Sequence, residues 1–519
     1  MSRFRDGWRR WLPAVGLIGV IGCDSGTEKA EKTTSTFPGV TIVAATVGDP
    51  AILSVVSSQR GEWAATRGGE IRVQPNAVDP KSISGVDVLI FPADRLGDLV
   101  DAKALAAIPE SLVRPTLQSD EDANASDKDE DAAKSQSAQP DPLQFADVVT
   151  AYRDQVSRYG TDRMALPLGA SALVLVCDRT AFEREENRKA AAEAKVKLQV
   201  PQTWTEFDAL AKFFQGRDWN GDGSADHGLT LALGADPEGV ADAVYLARAA
   251  SLGQHRDQYS FLFDSDSMKP RVDSPPFVEA LRSWAGFKDF GPLDIAKFDS
   301  EAARKAFAQG KTAMLIDRAE AATHWGDHKG LMIAPLPGSD RVYDPARKVW
   351  ETPSSPNRPS WLPFGGGWLV GIPASANPKT KDAALDFAAY LINPDTANLV
   401  RADRNFPMLP VRSTLIGQGV PGATVASGVD SKQWADAVSR TLLALKVIAG
   451  LRIPEASGYL SEIAKARAAV LRGEDPEAAL KTVADAWTER TKRLGVARQL
   501  WHYRRSLNSL VTLPEPPER

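Results

Sequence analysis

Between Ala165 and Leu210 the chain changes its hydrophobic period, and that change restricts the fold more than any other stretch. Ala165 to Val176 is a continuous apolar run with Pro167 and Gly169 near its start. It is too short, and too rich in β-branched and small residues, for a surface helix, so it predicts a buried strand. A charged connector runs to Gln199. Pro201 and Thr203 then open a segment in which Trp204, Phe207 and Leu210 recur at helical spacing. Thr203 with Glu206 forms a capping-box pattern that sets the start of the helix.

The chain before this point alternates in the same way. Strands are predicted at Val40 to Ala45, Ile71 to Val73 and Asp87 to Phe91, with a helix from Ala51 to Thr66. Such alternation calls for an α/β fold with mostly parallel sheets flanked by helices. Ligands in these sheets bind beyond the carboxyl ends of strands, which makes the loops Ala45 to Asp49 and Pro92 to Arg95 candidate walls. Downstream, helices are predicted at Val240 to Leu252, Ser274 to Trp284 and Lys381 to Leu391, the last stopped by Asn393-Pro394. Gly365-Gly366-Gly367 before Trp368 suits a hinge or a wall beside a ligand, because glycines permit close backbone approach.

The amino terminus reads as an export signal. Arg3, Arg5, Arg9 and Arg10 precede a short apolar segment, Trp11 to Ile21, which ends in Gly22-Cys23. A basic head, an apolar core, and a small residue before a cysteine whose thiol can take a diacylglycerol describe a lipoprotein signal peptide over residues 1–22. Cys23 is the expected lipidation site, and residues 23–38 form a polar tether. In lipoproteins of two-membrane bacteria, an Asp after the acylated cysteine, here Asp24, implies retention on the periplasmic face of the inner membrane. With a single membrane the place is its outer face. The other cysteine, Cys177, lies in the apolar strand, so no internal disulfide is possible, and it reads as a small buried hydrophobe.

The formal charge of −5 is unevenly placed. Residues 119–133 hold seven acids and one lysine, which leaves the rest of the chain nearly neutral. No basic face calls for nucleic acid. Residues 119–141 contain too few apolar groups to offset the entropy of ordering and are predicted to be a disordered insertion.

Catalytic signatures are missing: there is no Gly-x-Ser-x-Gly, no phosphate loop and no His-Glu-x-x-His. His324 and His328 share a helical spacing but have a Gly between them and no third ligand nearby, so they read as a turn. The loop Asp218-Trp-Asn220-Gly-Asp222-Gly223-Ser224-Ala-Asp226 places oxygen groups at positions one, three, five and nine, with Gly at six for the sharp turn. That is an abbreviated calcium loop, lacking the closing Glu, and it predicts structural Ca²⁺ held by Asp218, Asn220, Asp222, Ser224 and Asp226. Thirteen tryptophans supply flat apolar rings of the kind that stack on sugar faces.

Several segments, in order, resemble the family 1 extracellular solute-binding proteins of ABC importers, the group that includes the maltose-binding type. Tyr159, Leu166 to Gly169, Val176 to Asp178, Phe182 and Pro201 to Phe207 carry the resemblance. Phe298 to Asp317, Ile333 to Gly338 and Pro363 to Pro373 continue it. Cys177 and Asp178 depart from the Tyr and Asn usual there. The resemblance implies a two-lobed periplasmic-binding-protein fold, with residues 38–165 plus 308–365 as the first lobe and 170–305 plus 370–500 as the second. Residues 501–519 follow as a tail.

It also implies a monomeric, non-enzymatic protein that captures a solute, a sugar or oligosaccharide by default, between its lobes and delivers it to an ABC permease and its ATPase. The ligand walls would be Trp63, Trp325, Trp368 and Tyr459, with Asp94, Arg95 and Glu320 as polar partners. A sensor lipoprotein on the same fold and, more remotely, a glycan hydrolase are the rival readings.

Overall fold

The computed structural model describes residues 36–113, 141, 143–401, 408–419, 425–509 and 514–515. The expected signal peptide, Cys23, most of the tether and most of the acidic insertion lie outside the described residues. Among the described residues, no helix is long and apolar enough to cross a membrane.

Strands β1 (Thr41–Thr46), β2 (Glu70–Val73) and β3 (Val88–Pro92) begin the first lobe, with helix α1 (Ser54–Arg67) between the first two. Then come α2 (Leu96–Asp101), β4 (Leu105–Ala106), β5 (Leu166–Ala170) and β6 (Leu173–Asp178). The second lobe continues with α3 (Trp204–Phe214), β7 (His227–Thr230), α4 (Val240–Gly253), α5 (Pro275–Gly286), α6 (Ser300–Ala308), β8 (Thr312–Arg318) and β9 (Leu331–Pro335). A hairpin follows, β10 (Val342–Asp344) and β11 (Val349–Glu351), then β12 (Gly367–Pro373) and α7 (Lys381–Ile392). The chain closes with α8 (Ser431–Leu442), α9 (Ala456–Leu471), α10 (Pro476–Leu494) and α11 (Val496–Ser506).

The first sheet has the order β2-β1-β3-β12-β4, with β5 also paired to β12. The second runs β9-β6-β8-β7. Each sheet is mixed rather than mostly parallel. The β1–β2, β1–β3 and β7–β8 pairs are parallel. However, β12 lies antiparallel to β3, β4 and β5, and β6 lies antiparallel to β8 and β9. Helical crossovers inside a lobe enforce parallel pairing. A strand that arrives from the other lobe is free of that rule.

The pairing also corrects the lobe boundaries. Residues 308–365 do not return to the first lobe, because β8 and β9 pair with β6 in the second sheet. The return is made by β12, inserted between β3 and β4, and α7 belongs with it, so residues 370–392 leave the expected second lobe. The expected tail from residue 501 is the second half of α11, which buries His502 and Tyr503.

The capping box at Thr203 forms as the sequence predicts: Thr203 Oγ1 accepts from the Glu206 amide at 3.2 Å, and Glu206 reaches back to the Thr203 amide at 3.3 Å. Helix α3 then buries Trp204, Phe207, Leu210 and Phe214, each contributing roughly 1.5–3 kcal/mol. All six residues of β6 are buried. Leu173, Leu175 and Cys177 face the core that contains α3, α4 and α5, while Val174 and Val176 face that of α6 and α8. Burial pushes the Cys177 thiol up, which keeps it protonated. Only Ser171 and Ala172 separate β5 from β6, so this short link joins the two sheets.

Candidate functional site between the lobes

Beside that link lies the loop leading into β12. The Ser171 amide donates to Gly366 O at 3.2 Å, and the Tyr152 hydroxyl donates to the same carbonyl. The loop turns through positive φ at Phe364 (53°), Gly365 (69°), Gly366 (127°) and Gly367 (131°). A methyl group on Gly365 would lie 2.5 Å from the Asp94 amide nitrogen, and one on Gly367 would lie 2.2 Å from Gly169 O. Glycine is required at both points by conformation and by contact. The tight approach sets Trp368 among the carboxyl ends of the first-lobe strands and turns the Phe364 ring toward Arg318 and Gly239 of the second lobe. Trp368 pairs with Pro92 across β12 and β3. A methyl group on Gly48 would lie 3.5 Å from Trp368 Cη2.

Two carboxylates border this loop. Glu320 follows β8, with its side chain 2% exposed. Its Oε1 accepts from the Ser171 hydroxyl and lies 3.5 Å from Arg318, while its buried Oε2 has no partner among the described residues. Asp94 follows β3, and its buried Oδ1 also has no partner among the described residues. Burial pushes the Asp94 carboxyl up against the pull of Arg95, and pushes Glu320 up against Arg318 and Ser171. The Thr46 hydroxyl at the end of β1 is buried without a partner among the described residues. Unpaired buried acceptors and donors are costly and are the groups to which a polyhydroxylated ligand would offer bonds.

Arg318 supplies positive charge. Its guanidinium lies 5.3 Å from the Phe364 ring centroid and bonds Glu238, and its Nε is buried without a partner among the described residues. Glu238 is fixed by two bonds from Arg304, at 2.8 and 2.7 Å, and Arg304 also clasps Asp317 at 2.8 and 2.9 Å. Burial raises Glu238, but Arg304 and Arg318 outweigh it and hold this carboxyl low. Arg318 is thus positioned by a charged network, leaving its Nε free.

Of the residues expected from sequence, the structure brings Asp94, Glu320 and Trp368 around this loop. Arg95 turns instead toward Asp98, at 3.5 Å, and lines a groove of about 790 Å³ on the other side of α2. Trp63, Trp325 and Tyr459 are core residues rather than ligand walls, each 0% exposed with its polar atom already used. Trp63 donates to Asp386 at 2.7 Å and packs between Phe37 and Phe387. Trp325 donates to Asp317 at 2.9 Å. The Tyr459 hydroxyl meets Thr491 at 2.9 Å, and its ring packs edge-on to Phe263 and Trp487. Sequence reasoning missed Arg318, Phe364 and Ser171. Their signal was position: one ends a strand, one precedes the three glycines, one lies in the interlobe link.

His328 is a buried staple rather than a solvated turn residue, with its ring nitrogens 2.8 Å from Asp178 Oδ2 and 2.8 Å from Trp325 O. This gives the Asp178 departure a structural role. In the calcium-like loop, Asp218 accepts the amides of Gly221, Asp222 and Gly223, and Asp222 accepts that of Ser224. Asn220 donates to Asp226 at 3.2 Å. Lys311 Nζ lies 2.5 Å from Asp222 and 3.7 Å from Asp226. The donor set is rich in oxygen and tightly wound, as calcium requires, but a built-in ammonium competes for its charge.

Residues 69–416 match the model of a family described as bacterial extracellular solute-binding protein. The chain belongs to that family. Its members are binding proteins rather than enzymes, and they work outside the cytoplasm. Similar solved structures include an ABC-transporter solute-binding protein of Agrobacterium radiobacter K84 in complex with ribitol, 19% identical over 88% of this chain and 99% of that one, TM-score 0.59. The sugar-binding protein MalE of Xanthomonas citri is 15% identical over 88% and 99% of the two chains, TM-score 0.59. Maltose-bound T. maritima MalE3 is 17% identical over 87% and 100%, TM-score 0.57. These likenesses establish the two-lobed fold. No curated protein matches the chain.

Proposed function

We propose that this solute-binding protein captures a small polyhydroxylated solute, a sugar, oligosaccharide or polyol, between its lobes. It then presents the solute to an ABC permease and its ATPase. The observation that carries the reading is the pair of buried carboxylate oxygens without partners among the described residues, on Asp94 and Glu320, beside the half-buried rings of Phe364 and Trp368. Solute hydroxyls would donate to both carboxylates, Arg318 Nε would donate to a solute oxygen, and the aromatic rings would stack on the apolar sugar face. The bound ribitol and maltose of the similar proteins fit this chemistry. Binding that bridges the lobes favours the closed form and so couples occupancy to delivery.

The signal sequence and Cys23 support anchoring of a monomer by lipid at the outer face of the cytoplasmic membrane. Labelling with a radioactive fatty acid, lost on Cys23→Ser, tests the anchor. Calcium at the Asp218–Asp226 loop would pin the turn after α3. Calorimetry should show Ca²⁺ binding that tightens on Lys311→Ala, and no heat into the low-millimolar range would remove it.

Solute binding is tested by thermal unfolding against sugars, polyols, amino acids and peptides. A ligand at 100 times its dissociation constant adds about 2.7 kcal/mol, a rise on the order of 5 °C. A selective shift by one saccharide or polyol group is the expected result; a flat response from folded protein counts against it.

A further inference from the structure

Away from the interlobe site, the end of α4 and the β10–β11 hairpin bring together three side chains with metal-ligating atoms. His255, Asp344 and Glu351 each offer one such atom, and all of these lie within 4.8 Å of one another. We propose that they form a binding site for a divalent transition-metal cation, of which Zn²⁺ is the best fit.

The residues are far apart in sequence, and three features of the fold converge them. The register pairs Val342 with Glu351 and Asp344 with Val349, so Asp344 and Glu351 share one face of the hairpin. Tyr343 and Trp350 stack edge-to-face on the other, with ring centroids 5.3 Å apart, and stiffen it. His255 is 3% exposed, and its Nε2 lies 3.1 Å from Glu351 Oε2. Zinc bound tetrahedrally to nitrogen and oxygen at about 2.0–2.1 Å places its ligand atoms roughly 3.3 Å apart. Small side-chain movements bring the observed spacing to that value.

The imidazole is held from behind. Its Nδ1 accepts the Asp257 amide at 3.3 Å and lies 3.6 Å from an Asp257 carboxylate oxygen. When a metal takes Nε2, the ring proton sits on Nδ1, so the Asp257 amide must turn away while the exposed Asp257 carboxylate, now 3.6 Å off, closes in to accept that proton's hydrogen bond. That carboxylate–histidine–metal arrangement orients the ligand and raises its basicity. Two carboxylates and one neutral imidazole leave a fourth position for water and suit a borderline metal over calcium.

Arg347, in the hairpin turn, now carries the positive charge. Its Nε lies 2.6 Å from Asp344 Oδ2, and the same guanidinium bonds Glu351. Its side chain is 61% exposed, so it can swing into solvent when the ion arrives, and Glu351, 23% exposed, opens the route.

The test is titration of Zn²⁺ into the purified protein by calorimetry, with Co²⁺ added separately and its visible spectrum recorded. Expected are one saturable Zn²⁺ site and a Co²⁺ spectrum showing nitrogen and oxygen ligation. Glu351→Gln and His255→Gln should each weaken the site by at least tenfold, and Asp257→Asn by about tenfold. Arg347→Ala should tighten it, and Asp218→Asn in the calcium-like loop should leave it unchanged. Because His255 is buried, Glu351→Gln is the decisive variant should His255→Gln fail to fold. No Zn²⁺ uptake by either native or Arg347→Ala protein would overturn the proposal and leave an ion-pair clamp only. Uptake that survives both His255→Gln and Glu351→Gln would overturn it equally.

Discussion

Two sets of carboxylates lie between the lobes, with Asp94 of one only a turn of backbone from Asp98 of the other, and they meet opposite fates. Asp94, before α2, and Glu320, after β8, each keep a buried oxygen without a partner among the described residues. Asp98 and Asp101, within α2, are fully engaged. Asp98 accepts the Glu455 amide at 2.8 Å, and Asp101 takes Arg498 at 2.7 Å and His502 at 2.9 Å. Behind His502, the Tyr159 hydroxyl lies 2.9 Å from Nδ1, so α11 is stitched to the first lobe. A methyl group on Gly97 would lie 2.5 Å from the Ile453 backbone, a measure of how closely α2 meets the second lobe. The same residue type thus serves two ends. Carboxylates met by protein cations hold the lobes together, and those left unmet await a ligand.

The largest effect should come from breaking the engaged set. Asp101→Ala leaves Arg498 and the buried His502 without their carboxylate, and should lower unfolding free energy by about 2–3 kcal/mol, measured by denaturant titration. Glu320→Gln should act in the opposite sense. It removes a buried, raised carboxylate, so the melting temperature holds or rises, while solute affinity falls roughly ten- to hundredfold from the lost charged bond of about 1.5–3 kcal/mol. A fall in stability without a change in affinity would place Glu320 with the engaged set.

The pH dependence sets Asp101 apart from the unmet pair, whereas burial raises Asp98 as it raises them. The folded-state values of Asp94 and Glu320 are raised by burial. Their contribution is therefore fully present below the ordinary carboxylate range and is lost as pH rises through the folded values. For Asp101, burial pushes up, but His502 and Arg498 outweigh it and hold the carboxyl low. Its contribution is present above the ordinary value and is lost as pH falls. Unfolding of the ligand-free Asp101→Asn protein across acidic pH should expose the first trend, and that of Asp94→Asn/Glu320→Gln the second. The smallest effect is expected at Trp368→Ala, a loss of about 0.5–1.5 kcal/mol in solute affinity, read by calorimetry.

Local chemistry was legible in the sequence where it depends on neighbours along the chain. The Thr203–Glu206 cap and the glycine triplet before Trp368 form as read, and the apolar run from Ala165 is buried as read but breaks at Ser171–Ala172 into β5 and β6 rather than forming one strand. Partnership across the chain was not legible. Nothing local distinguishes β8, which stays in the second sheet, from β12, which returns to the first, because pairing is decided by the strands waiting on each side. Likewise, Trp63 and Trp368 read alike as ligand-wall candidates. Only the packing of α1 against α7, with Asp386 waiting for the indole, buries the former. Arg318 and Phe364 gain their place from the network around Glu238 and from a positive-φ turn.

The most direct test is calorimetric titration of the saccharide or polyol that gives the largest thermal shift into native and Glu320→Gln protein. The prediction is a single site in the native protein, at least tenfold weaker in the variant, with its melting temperature preserved. Equal affinity in the two proteins would contradict the account and move the solute away from the unmet carboxylates.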